Sequence, residues 1–294
     1  MEQTVSDSYC LMDCHRVSGA AIGASAQESR QNNMSAYRST SAQISCVPLY
    51  GRTDRLRDTT EFYGTGILVE VQGRHIIVTA AHVIQNGRRF ILLVGKRGCP
   101  LELNRTAIVT PVQSGFTRET DPLDFCVFPL AVNEAQILRR GWRFIKWDQD
   151  ATLDVPLREG PHRIVGYPDD ANLLNADDDV LPANCLSLPV MEDWRVIQHA
   201  PDVGIKRHPA SYIGLRYDPR LLEQQKARPK VKSLHGCSGG AIWRTDGKRD
   251  LGLAGMVTQC MSPTARRTGE RIIYGLRSNL MNDVMHSWIR QGVF

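Results

Sequence analysis

The sequence predicts an all-β protein, two sets of six short strands followed by a C-terminal helix. Three observations predict it. From Ile44 onward the chain is a series of short apolar runs broken by Gly, Asp and Asn, the pattern of many brief strands. Those runs fall into two sets, separated by residues 133–158, where Glu134, Arg139, Arg140, Trp142, Phe144 and Trp147 break the rhythm. Within Ser278–Arg290, Leu280, Val284, Met285, Trp288 and Ile289 fall near helical spacing.

Taken in order, residues 1–41 are rich in Ser, Gln, Asn and Ala, lack sustained periodicity, and read as a flexible N-terminal arm. The N-terminal unit, residues 42–132, holds candidate strands Ile44–Tyr50, Gly66–Val71, His75–Thr79, Phe90–Val94, Ala107–Thr110 and Phe125–Leu130, enough for one small closed barrel. Residues 133–158 read as an interdomain connector whose aromatics pack between the two units. Residues 159–294 hold Arg163–Tyr167, Cys185–Leu188, Ser211–Leu215, Ala241–Trp243, Leu253–Thr258 and Ile272–Leu276, with a terminal surface helix over Ser278–Arg290.

The 294 residues suit about two compact units at roughly 150 residues each. Hydrophobic residues at 42% and charged residues at 23% exclude wholesale disorder and collagen-like repeats. No stretch approaches the roughly 20 apolar residues of a membrane helix, so no membrane partner is expected. The net charge of +5 is a weak argument for nucleic acid. Cysteines stand at 10, 14, 46, 99, 126, 185, 237 and 260 in a chain too long for a disulfide scaffold, so most read as reduced, buried, small hydrophobes. The acidic start, Met1 to Asp7, predicts a cytoplasmic address. Ala24-Ser25-Ala26 resembles a cleavage site and keeps secretion as the alternative.

The sharpest local signal is Gly236-Cys237-Ser238-Gly239-Gly240 before the apolar run Ala241-Ile242-Trp243. A serine hydroxyl needs a base to become a nucleophile. Flanking glycines suit a turn whose backbone N–H groups face a developing oxyanion. An α/β-hydrolase would carry its acid and then its histidine after the serine. Downstream of Ser238 the only histidine is His286, on the predicted terminal helix, so that order fails. Upstream, Ile76-Ile77-Val78-Thr79-Ala80-Ala81-His82 is a β-branched strand running into a histidine. Asp124 enters the alternating run Phe125-Cys126-Val127-Phe128, and Asp121 is its rival three residues earlier.

Thr79-Ala80-Ala81-His82, Asp124-Phe125-Cys126-Val127 and Gly236-Cys237-Ser238-Gly239-Gly240 resemble, in order and setting, the three motifs of the trypsin/chymotrypsin-like serine proteases. Val165-Gly166-Tyr167-Pro168 is similar to a segment of the bacterial HtrA-like and glutamyl-endopeptidase-like branches. The resemblance spans about residues 45–294 and implies two six-stranded antiparallel β-barrels (chymotrypsin-like) with the active site between them. It implies Ser238 as nucleophile, His82 as general base and then acid, Asp124 as the group orienting the imidazole, and the N–H groups of Gly236 and Ser238 as oxyanion hole. The implied activity is that of a serine endopeptidase working through an acyl-enzyme without metal or cofactor, on a protein or peptide substrate. An intracellular regulatory role is expected from the cysteine usage; a catalytically silent binding module is the alternative.

Under the same resemblance Thr258, Gln259 and Cys260 form the edge that pairs with substrate backbone, and Tyr274-Gly275-Leu276 the last strand. Lys232 falls at the base of the primary pocket, which favours an acidic residue before the cut, while Cys260 and Ile272 line its walls, which favours a small one. The sequence leaves that choice open. Cys237 stands where digestive relatives carry an aspartate that pairs with a new N-terminus, so activation by N-terminal cleavage is not expected. Val83 replaces the cysteine of the usual histidine-loop disulfide.

Other features read more plainly. Cys237 is a packed thiol beside the serine, and His235 an exposed loop residue or a contact at the pocket rim. Cys10, Cys14 and His15 lack a second ligand pair for a metal. Asp177, Asp178 and Asp179, with Asp169 and Asp170, lack the glycine and spacing of a calcium loop. Lys226, Arg228, Lys230 and Lys232 form a basic stretch without interleaved aromatics, a poor platform for nucleic acid.

Overall fold

A computed structural model describes residues 43–52, 60–84, 90–94, 100–103, 106–118, 121, 123–151, 160–173, 181–198, 209–224, 231–261 and 271–294. The predicted arm, Cys10, Cys14, His15, Asp177–Asp179, Lys226, Arg228 and Lys230 lie outside those residues.

Strand-forming residues in the first half build β1 (Cys46–Arg52), β2 (Thr60–Val71), β3 (Arg74–Thr79), β4 (Phe90–Val94), β5 (Pro100–Leu103), β6 (Ile108–Val109) and β7 (Cys126–Pro129). They pair antiparallel in the order β5-β4-β1-β2-β3-β7-β6. The β-branched and apolar side chains of β2 and β3, among them Ile67, Leu68, Val69, Ile76, Ile77 and Val78, are wholly buried. Leu49 faces Gly64 but Tyr50 faces Phe62, so Tyr63 is an extra residue in β2. Such a bulge bends the strand just before Thr65.

The expected connector is partly sheet and helix. It carries α1 (Val132–Leu138), β8 (Ile145–Lys146) and α2 (Trp147–Asp150). β8 joins the first sheet by a short parallel pairing of Val69 with Ile145, and Ala151 bridges to Leu253 in the second unit. Trp147 is fully buried there.

The second half builds β9 (Pro161–Gly166), β10 (Leu186–Glu192), β11 (Tyr212–Tyr217), β12 (Ala241–Thr245), β13 (Asp250–Met261) and β14 (Arg271–Arg277). They close into a barrel in the order β10-β11-β14-β13-β12-β9. Short helices α3 (Asp169–Asn172), α4 (Trp194–Gln198) and α5 (Arg220–Gln224) decorate its loops. β10 alternates as a barrel strand must: Leu186, Leu188, Val190 and Glu192 are buried, and the residues between them are more exposed. The inward Glu192 is matched by Arg277, which donates to its Oε1, and by His162, whose Nε2 lies 3.4 Å from Oε2. Burial lowers the pKa of His162 below the ordinary histidine value, against the opposing pull of the Gly160 carbonyl and Glu192.

The last helix, α6 (Ser278–Arg290), does more than the surface role expected of it. Met281 and Met285 are fully buried, and the Trp147 indole donates to Asn282 Oδ1 at 2.9 Å. Trp288 stacks on Phe125 at 5.8 Å between centroids. The helix packs on β13 and β14 and also reaches the first sheet through Trp288 on Phe125. No helix among the described residues is long and apolar enough to cross a membrane.

Candidate active site

β3 ends at Thr79, and the chain tightens at once into a 3₁₀ turn, Ala81–Ile84, that carries His82. β7 runs antiparallel to β3 with Thr79 opposite Cys126. Continuing that register past both strand ends sets residue 124 beside residues 81–82. Asp124 there is buried and grips His82 twice: its Oδ1 accepts from the His82 amide at 2.8 Å, and its Oδ2 accepts from Nδ1 at 2.5 Å. With Nδ1 bearing the proton, Nε2 is the ring's acceptor. The His82 side chain retains 28% exposure, so a ligand can reach it.

Asp121 makes different bonds. It pairs with Arg118 at 3.0 Å and accepts from the Leu123 amide at 3.1 Å. Burial pushes its carboxyl above the ordinary value, opposed by Leu123 N–H and Arg118. Between the two candidates, Asp124 alone touches His82.

Thr110, which the sequence reading did not single out, fixes the Asp124 segment. Its hydroxyl bonds the carbonyls of Leu123 and Phe125, and its amide donates to Phe125 O at 3.0 Å. A β-branched hydroxyl residue opposite an acid motif was the available signal.

Ser238 sits on a turn between Leu234 and β12. Gly236 and Gly239 adopt φ of +85° and +83°, which a side chain would strain. A Cβ on Gly239 would collide with Thr65 O and the Thr79 hydroxyl, so the turn lies hard against β2 and the end of β3. Thr65 donates its amide to Ser238 O at 3.0 Å. A Cβ on Gly64 would stand 3.0 Å from Val83 and 3.2 Å from Ser238 O, so the residue after His82 and the backbone of Ser238 face the same point of β2. The barrel side is held by Gly239 N to Val257 O and Val257 N to Gly240 O, both 2.8 Å.

Backbone bonds also aim the turn's N–H groups. In a trans peptide the N–H points opposite the preceding carbonyl. His235 O accepts from Asp169 N at 2.9 Å, and Cys237 O accepts from Gly240 N at 2.8 Å. The amides of Gly236 and Ser238 therefore point away from those partners, and among the described residues neither has an acceptor. Two free donors two residues apart can receive an anionic oxygen. The Ser238 side chain is half-buried, and no hydrogen bond joins its hydroxyl to His82 among the described residues.

The remaining candidate residues separate by burial. Thr258, Gln259 and Cys260 are half-exposed on β13, beyond Val257, and Thr258 donates to Tyr274 O at 3.3 Å. Ile272 is half-exposed opposite Met261. Tyr274 is 1% exposed and turns its hydroxyl to Val196 O, so its ring belongs to the barrel core rather than to a ligand surface. Lys232 is exposed, and its amide donates to Asp170 Oδ2 at 2.9 Å. His235 is exposed.

Cys237 is fully buried, and burial pushes its thiol well above the ordinary value, which disfavours the thiolate. Cys260 is likewise pushed up to about 12. Cys46, Cys126, Cys185, Cys237 and Cys260 are free thiols. Among the described residues no three His, Cys, Asp or Glu side chains are grouped to hold a metal ion.

No protein-family model matches the chain, and no curated protein matches it.

Proposed function

We propose that this chain is a serine endopeptidase that cleaves peptide bonds through an acyl-enzyme. The observations that carry the reading are a buried carboxylate bonded twice to a part-exposed imidazole, and a serine turn with two N–H groups that have no acceptor among the described residues. In this reading His82 Nε2 removes the proton from the Ser238 hydroxyl as its oxygen attacks the scissile carbonyl. The carbonyl oxygen becomes anionic and is received by the Gly236 and Ser238 amides. The imidazolium, held by Asp124, returns its proton to the leaving amine, and water repeats the cycle to release the acid.

The proposed fold is a chymotrypsin-like double barrel. Its support is a shared strand order. The second unit runs first-second-third-sixth-fifth-fourth around its closed barrel. The first sheet follows the same order if β5 and β6 are two halves of one bent strand, since β5 pairs with β4 and β6 with β7. The substrate is a protein or peptide, the compartment cytoplasmic, and the role regulatory.

The alternative, a catalytically silent binding module, draws on the missing hydrogen bond between Ser238 and His82. Such bonds are often long before substrate arrives. A fluorophosphonate probe separates the readings. The wild-type protein is expected to be labelled and Ser238→Ala unlabelled; an unlabelled wild type overturns the protease.

A further inference from the structure

We infer that the Thr65 hydroxyl is a positioning group that holds the aim of the two oxyanion donors, an inference resting on the protease reading above. Thr65 is fully buried on β2, and all its polar groups are engaged. Its hydroxyl donates to Gly236 O and accepts from Tyr167 N, each at 2.9 Å. Its amide donates to Ser238 O, and its carbonyl accepts from the Thr79 hydroxyl at 2.7 Å. One residue thereby ties the Ser238 turn to the strand leading to His82 and to the end of β9.

The particular role of the hydroxyl follows from the peptide units of the turn. The unit before Gly236 is held through His235 O by Asp169, and the unit before Ser238 through Cys237 O by Gly240. Between them lies the unit joining Gly236 to Cys237. Its N–H donates to Leu234 O at 3.0 Å, and its carbonyl is held by the Thr65 side chain. It also adjoins Gly236, a glycine whose backbone lacks the restraint of a side chain. No stiffer residue can replace that glycine, because a Cβ there would lie 2.5 Å from the Phe62 ring and 2.7 Å from Asp169 N. The middle unit separates the two donors, so its rotation changes their relative aim. Valine has threonine's shape without its hydroxyl, and would leave Gly236 O and Tyr167 N buried without partners.

The experiment compares wild type, Thr65→Val and Thr65→Ser in peptide hydrolysis, in inhibition by a peptide aldehyde, and in amide hydrogen exchange at Cys237. In Thr65→Val, kcat is expected to fall about 30- to 300-fold, up to the scale of losing one oxyanion donor. KM should stay within about threefold, because ground-state contacts are untouched. Aldehyde affinity should fall in step with kcat/KM, since the adduct places an oxyanion against both donors. Thr65→Ser keeps the hydroxyl and is expected to remain within about fivefold of wild type. Exchange at Cys237 should quicken in Thr65→Val and stay native in Thr65→Ser. Should Thr65→Val not fold, Thr65→Ala removes the hydroxyl from the same site. A folded hydroxyl-free variant with kcat near wild type overturns the inference, and so does a Thr65→Ser protein as impaired as the valine variant. If the wild type proves inert to fluorophosphonate, the protease reading falls separately. Unchanged Cys237 exchange in the hydroxyl-free variant would still overturn the role of Thr65.

Discussion

The first sheet holds its part of the site through side chains, whereas the closed barrel holds its part through backbone. Asp124 fixes His82 with its two carboxylate oxygens, and Thr110 fixes the Asp124 segment with a hydroxyl. The turn around Ser238 is fixed by backbone bonds to Thr65, Asp169, Gly240 and Val257 and by the Thr65 hydroxyl on Gly236 O, and in the protease reading its two amides without an acceptor among the described residues receive the oxyanion. A site half can thus be damaged in two ways. In the sheet, deleting a functional group changes chemistry at constant shape; in the barrel turn, adding even a methyl group changes shape before chemistry.

The largest expected effects break the chemistry on each side. Ser238→Ala and His82→Ala should each lower peptidase turnover by about 10⁴-fold or more, with no additional loss in the double variant, as measured by hydrolysis of a chromogenic peptide. Next comes the sheet's internal contrast. Asp124→Asn should cost about 10⁴-fold in kcat, because an amide cannot hold the imidazole in the same tautomer. Asp121→Asn should leave kcat within about threefold and lower stability instead, by about 1–3 kcal/mol in urea unfolding, because it strands Arg118. A large kcat loss in Asp121→Asn with Asp124→Asn active would reverse the assignment.

The barrel turn is tested by Gly239→Ala. The new methyl would collide with Thr65 O and the Thr79 hydroxyl at a positive φ, so a destabilisation of at least about 3 kcal/mol is expected, or no folded protein. A stable and active variant would show that the turn is not held hard against the sheet. The smallest effect concerns pH. His162 is held neutral inside the barrel, with its folded pKa below the unfolded value of about 6.5. The unfolded chain therefore binds that proton first, so this contribution to stability is full above pH ~6.5 and is lost as pH falls through the lower folded pKa. Thermal unfolding should shift down by a few degrees on acidification, and less so in His162→Gln.

Legibility from sequence followed the same division. Short β-branched runs gave most strands, and ends were misjudged where bulges lengthen them: β2 begins at Thr60 and β13 at Asp250, earlier than hydrophobic alternation implied. β5 was missed because Pro100 and Glu102 dilute its apolar pattern. β8 was missed because two residues pairing in parallel leave no periodicity to read. His82, Asp124 and Ser238 stood out as candidates in the sequence because the chemistry proposed for them resides in residue type. Thr65 and Thr110 did not, since a threonine in or beside a strand is ordinary until its partners, distant along the chain, are known. Tyr274, placed on the last strand by the resemblance, is turned inward by β14 toward α4, an orientation that strand position alone does not reveal.

The stacking of Trp288 on Phe125 sets an order of events during synthesis. The floor beneath the acid motif is supplied by a helix translated well over a hundred residues later, so the first sheet leaves the ribosome with that face bare. A fragment ending before Ser278 would carry Phe125 uncovered and be prone to self-association. Supplying residues 278–294 as a separate peptide should restore its solubility.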